Sequence, residues 1–392
     1  MLVLASTHFL VDGYGNMYAP LLPLLIPQLG LSLATAGVLQ MCFQMANSVA
    51  QLGFGFIADR WRPRLLVMTG PLLAVVVLSL IGLSRSAWML GAVLVVGGLG
   101  GAAFHPPAAA MVHRISDDRR KAFSMAFHIT AGSLGFSLGP LVFAPFVERF
   151  GLAATPLLMA PGLVLVGLVL RQVPPFERPH PHHLGGGLGA LRPYARPLTL
   201  LYCIVVLRTL ASLSFATFMP VMLTRRGTSV GAAGAAVAVY LFATSVGGFV
   251  GGSLADRWGA RRVIIGSLVS AVPFLAAAPL FSDWTFVAIV STGGLLLQST
   301  LPVNVTFGQT LAPISAATVS SLMMGFGWGT AGISVPFVGM LADRVGIEHA
   351  LMTMAVMPLV AAALALPLPA GARAHVSPRA SEIAALEPEP EA

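Results

Sequence analysis

Gly55-Phe56-Ile57-Ala58-Asp59-Arg60-Trp61 and Gly252-Ser253-Leu254-Ala255-Asp256-Arg257-Trp258 are two copies of one pattern, each closing a long apolar run. The two aspartates lie 197 positions apart. Nearly the same interval recurs elsewhere: 196 between Pro106 and Pro302 and between Pro140 and Pro336, and 195 between Glu148-Arg149 and Asp343-Arg344. An offset this constant marks an internal duplication. Inside each half the acid-arginine pair returns after 89 residues (Asp59 to Glu148) and 87 residues (Asp256 to Asp343). Each half therefore reads as two three-segment units.

The surrounding composition says what these units are made of. Of 392 residues, 56% are apolar and 9% charged, with a mean hydropathy of +0.86. Soluble domains carry about 25% charged residues, so a water-soluble fold is excluded. A porin-like barrel is excluded as well, because its strands alternate polar and apolar residues in stretches of about ten. Twelve apolar segments remain: 2–29, 31–58, 64–83, 87–112, 121–147, 151–171, 198–224, 229–255, 261–281, 284–311, 317–342 and 347–368. Each is close to the roughly 20 residues that a spanning helix needs. The expected fold is an all-α membrane protein of twelve transmembrane helices, in two six-helix bundles related by a pseudo-two-fold axis. Residues 1–171 form the first bundle, 172–197 a Pro/His/Gly-rich cytoplasmic linker, 198–369 the second bundle, and 370–392 an Ala/Pro/Glu-rich disordered tail. The first apolar run continues past signal-peptide length, so no cleavable leader is expected. Cys42 and Cys203 lie inside apolar segments and are expected to be unpaired.

The net charge of +8 comes from 22 basic and 14 acidic residues. The basic residues sit in short loops, so they report topology and not nucleic-acid binding. One side of the membrane collects 16 of the 22, including Arg60, Arg62, Arg64, Arg114, Lys121, Arg257, Arg261 and Arg262. The other side has five: Arg85, Arg149, Arg225, Arg226 and Arg344. The positive-inside rule then places both termini and the linker in the cytoplasm, with the chain in the inner membrane.

Arg208 is the one basic residue well inside a segment, and Asp12 is the one acid well inside another. Each costs about 2.5–3.5 kcal/mol at the bilayer centre on insertion scales, so neither is expected to face lipid. They lie 196 positions apart and occupy equivalent places on segments 1 and 7, so they are expected to face each other across a central cavity. A purely structural pair closing the two bundles is the plainer alternative. His8, Asp12 and Asn16 recur every four residues and form one helical stripe. His105 precedes Pro106 and Pro107, whose missing donors free upstream carbonyls and line a kink with polar groups. A histidine there can take a proton near neutral pH or bind an anion when charged; the plainer role is to satisfy a carbonyl. His128 on segment 5 is read the same way. Segment 2 carries Gln40, Gln44, Asn47 and Gln51 on one face, serving either inter-bundle packing or substrate contact. Segment 10 carries Gln298, Asn304, Thr306 and Gln309 around Pro302. Segments 3, 6, 9 and 12 hold almost nothing polar and suit the lipid-facing periphery, leaving 1, 4, 7 and 10 for the cavity. Nested repeats of this kind place a transporter's site near the midplane between the halves.

Other chemistry is set aside on specific grounds. The His-x-x-x-Asp spacing of His8 and Asp12 also occurs in soluble acyltransferases, but no soluble catalytic domain accompanies it. No Gly-Lys-Ser/Thr phosphate loop occurs, so ATP drive is unsupported and no cofactor is expected. His180, His182 and His183 are read as linker residues, and no metal site is expected.

The segment-2 ending, continued by Arg62-Pro63-Arg64, resembles the loop motif Gly-x-x-x-Asp-Arg-x-Gly-Arg-Arg/Lys of the major facilitator superfamily. The copy from Gly252 to Arg262 is the cleaner one, with Gly259 where the first copy has Arg62. Four further features narrow the likeness: His8 to Asp12, Phe104-His105-Pro106-Pro107, Ser124 to His128 followed by Gly132, Gly135, Gly139 and Pro140, and Arg208. Together they resemble the fosmidomycin-resistance family of drug exporters. The run Gly135-x-x-x-Gly139-Pro140 resembles the antiporter signature, although Phe143 and Ala144 replace its trailing glycines.

The resemblance implies a non-enzymatic secondary transporter, a proton-coupled exporter of small amphiphilic or anionic compounds that works as a monomer. Its partners would be a small molecule, protons and the bilayer. Proton coupling would rest on Asp12, His105 and Arg208. Substrate contact would fall to His8, Asn16, Gln44, His105, His128, Arg208, Gln298 and Asn304, with Arg208 and His105 suited to a phosphonate-like group. Gating would fall to Gly55, Asp59, Arg60, Gly252, Asp256 and Arg257, and to Gly135, Gly139 and Pro140. Alternatives are a proton symporter taking up a small organic acid, and a transport-inactive sensor.

Overall fold

The computed structural model describes residues 1–60, 63–116, 121–170, 188–312 and 316–369. The disordered tail expected from 370, most of the linker and its three histidines lie outside the described residues. So do Trp61, Arg62 and the side chains of Asp59 and Arg60.

Among the described residues the structure is all-helical, and its helices follow the twelve apolar segments. In chain order these are α1 (Leu2–Gly15 and Tyr18–Leu29), α2 (Leu33–Gln44, Met45–Val49, Ala50–Arg60), α3 (Pro63–Leu78) and α4 (Ala87–Ile115). Next come α5 (Lys121–Phe150), α6 (Leu152–Leu158 and Met159–Leu170), α7 (Ala195–Arg225) and α8 (Val230–Trp258). The last are α9 (Ala260–Ala277), α10 (Asp283–Gln298 and Thr300–Leu311), α11 (Ala316–Ser320, Ser321–Phe326, Gly327–Val345) and α12 (Ile347–Met354 and Met357–Ala365). By length and composition, nine of the described helices can cross a membrane. The other three are α1, α2 and α6, which are respectively broken, polar along one stripe, and short.

Several details depart from the segment reading. Segment 1 is not one helix. Pro20 has no N–H to return to the carbonyl of Asn16, and Asn16 and Met17 separate the two stretches of α1. The second stretch ends at Gly30, whose φ of 62° is left-handed. α2 and α11 each contain a π-helical stretch, Met45–Val49 and Ser321–Phe326. Such stretches often mark functional bends. α6 opens as a 3₁₀ turn, and α7 starts at Ala195, inside the stretch read as linker. α4 continues through Pro106 and Pro107 as one helix.

Small residues bring the helices together. A Cβ on Gly135 would stand 1.9 Å from the carbonyl oxygen of Phe9, and one on Gly139 would stand 2.6 Å from that of Gly13. α1 and α5 therefore meet backbone to backbone. Two of the close contacts join residues from opposite halves of the repeat. α2 meets α11, where a Cβ on Gly37 would fall 2.8 Å from Pro336 Cα and one on Gly339 2.3 Å from the carbonyl oxygen of Leu33. α5 meets α8, where a Cβ on Gly234 would fall 2.8 Å from the carbonyl oxygen of Pro140. Both contacts lie toward the end of the molecule that carries Glu148 and Asp343. At the other end, a Cβ on Gly252 would meet nothing within 4 Å among the described residues, and Asp256 and Arg257 are exposed.

Candidate functional site

α1, α4 and α5 converge on Asp12. His8 stands one turn before it on α1, with Nε2 3.2 Å from Asp12 Oδ2. His105 on α4 places Nε2 3.4 Å from Asp12 Oδ1. The carboxylate is thus held between two imidazoles. On its far side the His8 ring lies against His128 of α5, with centroids 4.3 Å apart. His8 Nδ1 is 2.9 Å from the backbone carbonyl oxygen of His128. A carbonyl only accepts, so Nδ1 carries a hydrogen. This fixes what Nε2 can do. If it also carries a hydrogen, His8 is an imidazolium paired with the carboxylate. If it does not, its lone pair faces an oxygen, which is favourable only when Asp12 is protonated. Either way the pair holds a proton that a neutral imidazole and a free carboxylate together would lack. His8, Asp12 and His105 keep 13%, 23% and 19% of their side-chain surface accessible, so the cluster borders open space and is not sealed.

Gly132 of α5 makes this arrangement possible. A Cβ there would stand 2.5 Å from His8 Nε2 and 2.6 Å from Asp12 Oδ2. Gly101 of α4 leaves similar room beside His105, since a Cβ there would strike Asn47 Oδ1 at 2.3 Å and approach His105 Nε2 at 3.7 Å.

Arg208 occupies the repeat-related position on α7 and is fully buried, at 0% exposure. Its Nη1 donates to Gln298 Oε1 of α10. Nε and Nη2 have no hydrogen-bond partner among the described residues, and neither do both amide atoms of the equally buried Asn304. Buried donors of a permanent cation are costly to leave unpaired, so these donors have capacity for further acceptors.

Asp12 and Arg208, expected to face each other across a central cavity, share no hydrogen bond or ion pair among the described residues. Asp12 is partnered by His8 and His105, whereas Arg208 is partnered by Gln298. Equivalent positions in a duplicated chain need not touch; each polar group found its partner on helices of its own half.

The remaining residues divide between packing and the site. Asn16 sits at the break in α1 and donates through Nδ2 to the carbonyl of Phe136, 2.8 Å away, which ties α1 to α5. Gln44 is buried against α11, where a Cβ on Gly332 would lie 2.8 Å from its Cβ. The α2 stripe therefore includes inter-half packing. Gly135 and Gly139 serve the α1–α5 contact, and Pro140 the α5–α8 contact. Gly55 has no close neighbour beyond Pro106 Cβ at 3.8 Å. Sequence reasoning missed Gly132 as a spacer and the carbonyl of His128 as the group that fixes His8. Gly132 stood within the quoted glycine run, but nothing in its spacing said what it faced.

The chain was compared with known proteins and structures. The family model described as Major Facilitator Superfamily matches residues 4–222 and again 201–389. The fosmidomycin resistance protein of Escherichia coli (strain K12) is 27% identical over 372 residues, covering 91% of this chain and 89% of that protein. The "Probable nitrate/nitrite transporter NarK2" of Mycobacterium tuberculosis (strain ATCC 25618 / H37Rv) is 25% identical over 387 residues, covering 93% of each. Among solved structures, a bacterial homolog to the human lysosomal transporter Spinster, inward-facing and unoccupied, superposes with a TM-score of 0.78. It is 18% identical and covers 93% of this chain and 95% of that one, a likeness of fold.

Proposed function

The chain belongs to the Major Facilitator Superfamily, and from that premise we propose that it is a proton-coupled exporter of small amphiphilic or anionic compounds, of the kind the name of the Escherichia coli relative suggests. The proposal includes twelve transmembrane helices in two six-helix bundles, an inner-membrane location with both termini cytoplasmic, and action as a monomer. With that orientation, the end where α2 meets α11 and α5 meets α8 is periplasmic, and the conformation is inward-facing.

The observation that carries the coupling is the Asp12 carboxylate held between His8 and His105, with His8 Nδ1 occupied by the carbonyl of His128. In this reading the cluster takes a proton from the periplasm when outward-facing and releases it to the cytoplasm when inward-facing. Arg208 receives the anionic group of the substrate through the donors that have no partner among the described residues, with Gln298 orienting the guanidinium. Proton and substrate then occupy different halves, and the cycle moves them in opposite directions. Asp59 and Arg60, with Asp256 and Arg257, close the cytoplasmic end when the halves swing over.

Export against uptake is decided by the sign of proton movement. In proteoliposomes carrying an internal pH dye, adding substrate outside should drive protons outward in antiport and inward in symport. Proton movement in the same direction as substrate would replace the exporter with an uptake symporter. Binding without flux would leave a sensor.

A further inference from the structure

We infer that Glu148 and Asp343 are a matched pair of latches that hold the two halves together at the Glu148/Asp343 end, so that each transport cycle must break and remake both. The inference rests on the alternating-access reading above but assigns residues that the sequence pattern marked only as weak echoes of the repeat.

Glu148 lies in the last turn of α5, and its Oε2 accepts the Gly231 N–H at 2.9 Å and the Ser229 hydroxyl at 3.5 Å. Those groups form the first turn of α8, on the other half of the repeat. Asp343 lies near the end of α11, and its two oxygens accept the Leu33 and Ala34 N–H groups at 3.0 and 2.9 Å. Those open α2, again across the halves. The first N–H groups of a helix have no partner within it, and they carry the positive end of its dipole. Each helix also has a serine cap of its own: Ser229 accepts from the Ala232 N–H at 3.2 Å and Ser32 from the Thr35 N–H at 3.0 Å. The carboxylates therefore take the donors that the serines leave over.

The two caps are related by the repeat, with Gly231 in the place of Ala34, and differ in the second bond, which comes from the Leu33 N–H in one and the Ser229 hydroxyl in the other. Glu148 and Asp343 are 195 positions apart, and Ser32 and Ser229 are 197 apart. α5 caps α8 as α11 caps α2. Both caps sit beside the closest inter-half contacts, at Gly37, Gly339 and Gly234. A charged acceptor on backbone donors is among the stronger hydrogen bonds available, and none of these four crossing bonds can survive separation of the halves at this end.

The test is the conformational distribution of Glu148→Gln, Asp343→Asn and the double variant, in a full-length background with Cys42 and Cys203 replaced by alanine. Spin labels at Arg85→Cys and Ser282→Cys report one end; labels at Ile115→Cys and Trp258→Cys report the other. The expected result is a rise of about tenfold in the open-to-closed ratio at the Arg85/Ser282 end for each single variant. The double variant should add the two effects, as independent sites do, while the Ile115/Trp258 distance shortens. Unchanged distances in a monodisperse double variant would overturn the latch, and so would widening at both ends together. The readout uses neither substrate nor a proton gradient, so a failure of the coupling proposal would not be mistaken for a failure here.

Discussion

A carboxylate between two imidazoles, one of which has its other nitrogen committed to a carbonyl, is a place where one proton has to be shared. At the scale of residues, the proposed coupling therefore depends on distances of a few tenths of an ångström. Gly132→Ala is the sharpest probe, because the added methyl would stand 2.5 Å from His8 Nε2 and 2.6 Å from Asp12 Oδ2. The helix gains propensity from alanine, so expression and melting should be near normal. Transport driven by a pH gradient should fall at least about tenfold, the scale of one lost charge-assisted contact; wild-type flux in that variant would show that the pair tolerates being pushed apart. Gln298→Ala removes the acceptor that Arg208 has among the described residues, so substrate affinity should weaken by about tenfold with pH coupling intact, as binding in detergent and flux would show together. The polar residues themselves were legible in the sequence, since Asp12, His8, His105, His128 and Arg208 stand out in apolar runs. Their pairing was not. The 196-residue offset put Asp12 and Arg208 at equivalent places, but which polar groups meet depends on how α1 packs on α4 and α5, and that depends on glycine contacts without periodicity.

Among the elements, α2 and α11 have the most to do. They touch closely where Gly37 meets Pro336 and Gly339 meets Leu33, and both change to π-helical winding nearer the other end. A valine at Gly37 would begin with a Cβ 2.8 Å from Pro336 Cα and 2.9 Å from the carbonyl oxygen of Val335. Backbone cannot step aside as a side chain can, so Gly37→Val should force this end open. Alkylation of a cysteine on the α2–α11 face should rise and net transport should stall; unchanged labelling would mean that the contact is not a gate. Asp59→Asn is expected to act in the opposite sense, favouring the inward-facing state and slowing transport with substrate binding intact. Asp256→Asn should be milder. Solvent accessibility of the cytoplasmic cavity reports both. The helices were legible because apolar length and the acid-arginine endings mark them. The break at Asn16 was not, since proline recurs inside helices that stay whole, α4 among them, and neither were the π-helical stretches, which carry no residue pattern of their own.

For the whole molecule, the duplication carries most of the architecture. It was readable from two seven-residue copies and a constant interval, because a repeated chain in a membrane has few ways to fold other than as repeated bundles. Orientation rests on the 16-to-5 bias of basic residues. A reporter fused after Ala392 should be active in its cytoplasmic form, and activity only in the periplasmic form would invert the topology. The Glu148/Asp343 end and the opposite end then become periplasmic and cytoplasmic, and on the proposed mechanism the proton passes between them through Asp12. The most direct measurement of that passage is flux in proteoliposomes holding Asp12→Asn at matched levels of folded protein. The asparagine imitates the protonated carboxyl permanently, so substrate should still bind and exchange between the two sides, while uphill transport driven by an imposed pH gradient should disappear. Uphill transport persisting at the wild-type rate would contradict proton carriage by Asp12.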